Sequence, residues 1–221
     1  MTLAGLASLP LAARSALLAL AGAPVAAGLA HASAPPSPPV LLVLGDSLSA
    51  EYGLRRGAGW VALLAQRLAS RKPPWSVFNA SISGETTAGG LTRLPALLAE
   101  HRPRAVVIEL GGNDALRGLD LDATARNLDA MVTASQAVGA RVLLVGMRVP
   151  PNYGRSYTER FERTFREVAS RRGCALVPFL LEGIGERLEM FQPDRIHPAE
   201  IAQQPMLDNV WPTLSALLSR P

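Results

Sequence analysis

A serine hydroxyl becomes a useful nucleophile when a base lies within hydrogen-bond reach, an acid holds that base in the right tautomer, and donors wait for the developing oxyanion. Bases are scarce in this chain. Of three histidines in 221 residues, His31 lies in an apolar leader, and His101 in Glu100-His101-Arg102-Pro103 ends an amphipathic segment where a solvent-facing cap is expected. His197 is the base that remains. Asp194 stands three residues before it, and Pro198 directly follows, which biases His197 away from helical geometry and starts a helix at the next residue. A turn of that spacing lets the Asp194 carboxylate curl back onto one imidazole nitrogen, leaving the other directed towards a serine at the end of the first strand. The same Asp-x-x-His-Pro also fits a plain helix start with the aspartate as cap.

The elements that must position these groups follow from hydrophobic periodicity. Short runs rich in β-branched residues and Leu at 40–44, 75–80, 105–110, 141–147 and 174–179 read as strands. Between them, 59–70, 87–100, 121–138 and 157–171 carry apolar residues at helical spacing, and 199–218 reads as a closing helix in which Pro205 and Pro212 predict one or two breaks. Five near-continuous apolar strands alternating with helices predict an α/β domain, a three-layer α/β/α sandwich on a mainly parallel five-stranded sheet covered on both faces.

In such sheets ligands bind beyond the carboxyl ends of the strands. Polar residues with small neighbours gather there: Gly45-Asp46-Ser47-Leu48-Ser49 after the first strand, Ser83-Gly84-Glu85-Thr86-Thr87 after the second, and Gly111-Gly112-Asn113-Asp114 after the third. The loop after the fourth is apolar and rigid, Val149-Pro150-Pro151-Asn152-Tyr153-Gly154.

Composition narrows the possibilities. With 48% apolar and 18% charged residues the chain is too apolar for disorder, and one cysteine rules out an intrachain disulfide scaffold. Cys174, in Cys174-Ala175-Leu176-Val177, reads as a small buried hydrophobe. The net charge of +4 comes from 21 arginines and Lys72, scattered as pairs among acids without a stripe or aromatic platform, so no nucleic-acid partner is expected. The two histidines outside the apolar leader and the one cysteine lie far apart and give no metal-ligand spacing, and no cofactor is expected. Residues 1–34 hold one base, Arg14, ahead of an apolar run broken by Gly22, Pro24 and Gly28 and ending in the A-x-A sites Ala30-His31-Ala32 and Ala32-Ser33-Ala34. That pattern is a secretory signal peptide, followed by a stiff proline-rich leader at 35–39 and one domain at 40–221. It predicts export to the periplasm or medium with no stable membrane anchor, and a monomer is expected.

Four blocks, in order, now carry a resemblance: Gly45-Asp46-Ser47-Leu48, Gly84 within Ser83-Gly84-Glu85-Thr86, Gly111-Gly112-Asn113-Asp114, and Asp194-Arg195-Ile196-His197-Pro198. Together they resemble the signature blocks of the SGNH (GDSL) hydrolases, over nearly the whole chain from Val40 to the closing helix. The bacterial periplasmic branch with thioesterase, lysophospholipase and arylesterase activities is the most similar, on Tyr52-Gly53, Ala115-Leu116-Arg117-Gly118 and Arg148-Val149-Pro150-Pro151-Asn152-Tyr153-Gly154. There are departures: Glu51 stands where many members have a small residue, and Gly112 and Ala115 vary the small residues around Asn113.

The resemblance implies a flavodoxin-like SGNH hydrolase fold and a serine esterase that forms an acyl-enzyme on Ser47. His197 would be the general base and Asp194 its orienting acid. The backbone N–H groups of Ser47 and Gly84 and the side-chain amide of Asn113 would form the oxyanion hole. Leu116, Val149, Pro150 and Ile196 would border an acyl groove, the alternative being that they simply anchor their loops. Carboxylic esters or thioesters are the implied substrates: aryl esters, short to medium acyl esters and lysophospholipid-like molecules. A carbohydrate O-deacetylase of the same fold, and a non-catalytic lipid- or glycan-binding relative, are the alternatives. Asp46 and Asp114 read as loop-ordering residues, and Ser49, Ser81 and Ser83 as loop formers. An α/β-hydrolase elbow, G-x-S-x-G, lacks its second glycine here because Ser49 holds that position.

Overall fold

The computed structural model describes residues 37–219. The expected signal peptide, the start of the proline-rich leader and the last two residues lie outside them. Five strands, β1 (Val40–Gly45), β2 (Ser76–Asn79), β3 (Ala105–Glu109), β4 (Arg141–Val145) and β5 (Ala175–Val177), form one sheet in the order β2-β1-β3-β4-β5. Every pairing is parallel. A parallel pair needs a crossover, and the helices α1 (Trp60–Ala69), α2 (Thr87–His101), α4 (Leu121–Ala137) and α5 (Arg155–Arg172) supply them; α3 (Gly112–Leu116) is a single short turn, and α6 (Glu200–Leu218) closes the domain.

Alternation along the strands builds the three layers. Leu41 and Val43 of β1 join Trp60, Leu64 and Leu68 of α1 and Met206, Val210 and Leu214 of α6 in one core layer. Leu42 and Leu44 point the other way, into a layer with Leu94 and Leu98 of α2, Leu128 and Met131 of α4 and Phe161 and Phe165 of α5. Both faces of the central strands are thus covered, which is why β1, and β3 up to Glu109, are continuous apolar runs.

Three expectations are corrected. The closing helix is unbroken from Glu200 to Leu218 in spite of Pro205 and Pro212. Its buried stripe, Ala202, Met206, Leu207, Val210, Leu214 and Leu217, packs along its full length and outweighs the hydrogen bonds that the prolines forfeit. The second strand is shorter than 75–80 and mostly exposed, because β2 is the edge of the sheet. His101 is not a solvent-facing cap: its side chain is only 17% exposed, and its ring stacks on Phe78 of that edge strand with centroids 3.7 Å apart. Cys174 is half-buried against the second core layer, where burial pushes its thiol pKa up. Among the described residues no helix is long and apolar enough to cross a membrane.

Candidate active site

The strand order reverses direction at β1, with β2 on one side and β3 on the other, and this switch point opens a crevice beyond the strand ends. Ser47 follows β1 and Asn113 follows β3, so both stand at that crevice. The chain leaves β1 through a tight turn in which the Asp46 carbonyl accepts from Ser49 N–H at 3.2 Å and Ala50 N–H at 2.9 Å. Asp46 Oδ1 accepts from Leu48 N–H at 3.0 Å, an Asx-type bond that fixes the residues flanking Ser47.

His197 reaches this turn from the far end of the chain. Its Nε2 lies 3.0 Å from Ser47 Oγ, and its Nδ1 lies 2.7 Å from Asp194 Oδ2. The other Asp194 oxygen accepts from the backbone N–H groups of Ile196 at 2.9 Å and His197 at 3.0 Å. Asp194 therefore orders the turn and holds the ring; it does not cap the closing helix, whose N-cap is Ala199 with no side-chain cap bond. Those bonds, the His197 N–H foremost, pull the Asp194 pKa down to about 2. Arg195 completes the turn with φ 58°. The segment is docked by Gln192, whose N–H donates to the His197 carbonyl at 2.8 Å and whose side-chain amide donates to the carbonyls of Tyr52 and Pro198. The Tyr52 ring lies against the imidazole, with centroids 4.3 Å apart.

Gly84 occupies the third position of a turn closed by Glu85 N–H on the Ile82 carbonyl at 3.1 Å, and its φ of 78° is the left-handed conformation that such a turn demands. Arg117, on the loop after α3, donates to the Gly84 carbonyl at 2.9 Å. Among the described residues neither Ser47 N–H nor Gly84 N–H donates to another protein group. The Asn113 amide donates one hydrogen to Asp46 Oδ2 at 3.0 Å and keeps its second. Asp114 is buried and accepts from the N–H and hydroxyl of Thr87, pinning the start of α2 to α3.

The structure brings Ser47, His197 and Asp194 into one hydrogen-bonded row. Of the groove candidates, Leu116 and Ile196 are exposed, Pro150 is exposed, and Val149 is buried in the core. The Leu116 carbonyl accepts from the Tyr153 hydroxyl at 3.0 Å, joining the loops after β3 and β4. A cleft of about 820 Å³ lined by Arg71, Lys72, Trp75, His101 and Arg104 lies at the opposite, amino-terminal edge of the strands and is not part of this site. Among the described residues no cluster of three or more His, Cys, Asp or Glu could hold a metal ion.

Sequence reasoning passed over two residues that organise the site. Gln192 gives no signal, since its role is to bridge two loops distant in sequence. Glu109 does give one, an acid inside the apolar run Ala105-Val106-Val107-Ile108-Glu109-Leu110. Glu51, the departure from the resemblance, has φ 59° and turns its carboxylate onto the N–H groups of Gly57 at 3.0 Å and Gly59 at 2.9 Å, ordering the approach to α1.

Residues 43–204 match the GDSL-like lipase/acylhydrolase family. The chain is 56% identical to esterase TesA of Pseudomonas aeruginosa over 178 residues, which is 80% of this chain and 89% of that protein. It is 42% identical to the thioesterase 1/protease 1/lysophospholipase L1 of Escherichia coli K12 over 179 residues, 81% of this chain and 85% of that one. The crystal structure of the psychrotrophic esterase EstA from a Pseudoalteromonas species, inhibited by monoethylphosphonate, superposes with a TM-score of 0.78 at 38% identity, over 82% of this chain and 99% of that one.

Proposed function

The chain belongs to the GDSL-like lipase/acylhydrolase family, and on that premise we propose that it is a serine esterase that hydrolyses carboxylic esters and thioesters through an acyl-enzyme on Ser47. The observation that carries this reading is the row Ser47 Oγ, His197 Nε2, His197 Nδ1, Asp194 Oδ2, with gaps of 3.0 and 2.7 Å at its two hydrogen bonds.

Ser47 Oγ attacks the ester carbonyl carbon while His197 Nε2 takes the hydroxyl proton. Asp194 accepts from Nδ1–H, which presents the lone pair of Nε2 to the serine and stabilises the imidazolium that forms. Negative charge moves to the carbonyl oxygen. The N–H groups of Ser47 and Gly84 and the free hydrogen of the Asn113 amide are the donors offered to it, and removing one such donor costs about 3 kcal/mol of transition-state stabilisation. As the intermediate collapses, His197 returns its proton to the leaving alcohol or thiol. A water deprotonated by the same nitrogen then attacks the acyl-enzyme, and Ser47 leaves with the proton.

Aryl esters, short to medium acyl esters and lysophospholipid-like molecules are the substrates proposed, with exposed Leu116 and Ile196 at the rim as the apolar contacts for the acyl chain. Residues 1–34 are proposed as a cleaved export signal. In support, β1 begins at Val40, so cleavage after Ala32 or Ala34 removes no described strand or helix. The test is turnover of p-nitrophenyl esters of increasing chain length, lysophospholipid and acyl-CoA by the purified protein, with fluorophosphonate labelling mapped by peptide mass. Labelling at Ser47 with ester turnover supports the reading; labelling at another serine, or none, overturns it.

A further inference from the structure

Glu109 is the last residue of β3 and is completely buried, at 0% exposure. Its partner in register on β1 is Gly45, and a Cβ at Gly45 would lie 2.8 Å from Glu109 Oε2, so the glycine leaves the space that the carboxyl group fills. Glu109 Oε2 accepts from the Ser49 hydroxyl at 2.7 Å and from Asp46 N–H at 3.4 Å. Its other oxygen, Oε1, is buried with no partner among the described residues. Glu109 thus holds residues on both sides of Ser47, and the reaction as derived makes no use of it.

We propose that Glu109 is a positioning residue held as the neutral acid, pinning the turn 46–49 from beneath and leaving Asp46 as the one carboxylate between that turn and Asn113. The proposal rests on the reading of Ser47 as nucleophile. An ionised Glu109 would place an unpartnered anionic oxygen in the core, far costlier than an unpaired acid hydroxyl. Asp46, also buried, accepts from Leu48 N–H with one oxygen and from Asn113 with the other, so it is much the better host for the charge of the pair. Glu109 Oε2 rests on the backbone N–H of Asp46, and two carboxyls buried on one turn in this way do not both ionise in the neutral range. The remaining charged groups facing Asp46 are His197, which favours its ionisation, and Asp114 on α3, which opposes it; among the described residues no Arg or Lys pairs with Asp46 or Glu109. Burial and then the charge of Asp46 push the Glu109 pKa well above the ordinary carboxylate range, in agreement with the geometry.

A neutral anchor keeps its hydrogen bonds to Ser49 and Asp46 with one oxygen, and glutamine can make the same two bonds. The protein and its Glu109→Gln and Glu109→Ala variants are compared by difference infrared spectroscopy at about pH 8, where an ordinary carboxyl is ionised. The expected difference spectrum of the protein against Glu109→Gln has a carboxylic-acid C=O band; a carboxylate pair of bands in its place overturns the neutral state. For p-nitrophenyl butyrate, Glu109→Ala is expected to lose roughly 10- to 100-fold in kcat with KM little changed, the signature of a displaced nucleophile, and to slow fluorophosphonate labelling in proportion. Glutamine is expected to rescue most of both. An alanine variant with undiminished kcat and labelling rate, or a glutamine variant as impaired as alanine, overturns the positioning role. Should alanine fail to fold, the infrared band and the glutamine rescue decide. Failure of the parent reading looks different, since the unsubstituted protein would then resist labelling at Ser47 while its acid band persisted.

Discussion

Across 150 positions of chain, His197 Nε2 comes to 3.0 Å from Ser47 Oγ. Neither residue is part of a strand or helix. Ser47 is held by the turn out of β1, while His197 is held by Asp194, by Gln192 and by the short bridge between Phe191 and Pro198. The contact therefore reports the docking of a loop onto the turn after the internal strand β1, and on the proposed reading its worth is catalytic more than structural.

Removing either member should separate activity from folding. Ser47→Ala and His197→Ala are each expected to lower kcat on p-nitrophenyl esters by roughly 10⁶-fold, as for residues that act as a unit, and the double variant by little more. Both side chains are half-buried at the surface of the crevice and leave the core intact, so melting temperatures should stay close to that of the unsubstituted protein. Additive losses in the double variant would mean that the two do not act together.

Asp194→Asn probes the second link. Asparagine can still accept from the N–H groups of Ile196 and His197, so the turn should survive, but its amide donor opposes Nδ1–H and favours the wrong tautomer. A fall of roughly 10³- to 10⁴-fold in kcat is expected. The same carboxylate bears on acid stability. Its folded pKa of about 2 lies below the ordinary aspartate value near 4, so the stabilisation is fully present above pH 4 and is lost as pH falls towards 2. Urea unfolding across that window should show a steeper loss in the protein than in Asp194→Asn.

How much of this was legible in the sequence depends on distance along the chain. The strands could be read because β1 and β3 are buried on both faces and so, Glu109 apart, carry no polar side chain, whereas edge strand β2 carries a mixed pattern whose ends blur. Proline in the closing helix misled, because propensity is local and the buried stripe from Ala202 to Leu217 is not. Asp194 and His197 lie within one turn and their relation could be argued from spacing. The partnership with Ser47, and the seats of Gly84 and Asn113, needed four blocks taken together. Glu109 and Gln192 act through partners 60 and 140 positions away, Ser49 and Tyr52, a pairing that no local pattern encodes.

Gly84→Ala tests whether the left-handed turn matters to chemistry. A Cβ there would meet Arg117 Nη2 at 3.5 Å, ordinary contact, so the penalty comes from φ 78° alone and should be about 1–2 kcal/mol in unfolding free energy. If the chain relaxes by rotating the 83–84 peptide, the N–H offered to the oxyanion turns with it. We expect kcat to fall roughly 10- to 100-fold, with KM little altered. Equal loss of stability with unchanged kcat would remove Gly84 from the oxyanion hole.

Asp46→Asn should trade activity for stability, in a direction that pH reveals. Burial is the chief cause that raises the Asp46 pKa from 3.8 to about 6, against the opposing bonds from Leu48 N–H and Asn113. A raised carboxyl favours folding most when protonated, so the folded protein loses stability as pH rises from about 4 through 6, by an amount on the order of 3 kcal/mol at 1.36 kcal/mol per unit. Asparagine carries no such charge. The stability of Asp46→Asn relative to the protein should therefore climb between pH 4 and 7, whatever the constant offset from its altered bonds. Activity should move the other way, because an asparagine amide facing the Asn113 amide sets donor against donor and frees the side chain proposed for the oxyanion hole to rotate. A loss of roughly 10- to 100-fold in kcat, approaching that of Asn113→Ala, is expected. Denaturant titrations at several pH values and kcat at pH 7 check the two halves separately. A stability difference that stays flat with pH would place the negative charge elsewhere than Asp46, and an undiminished kcat would show that Asn113 does not depend on it.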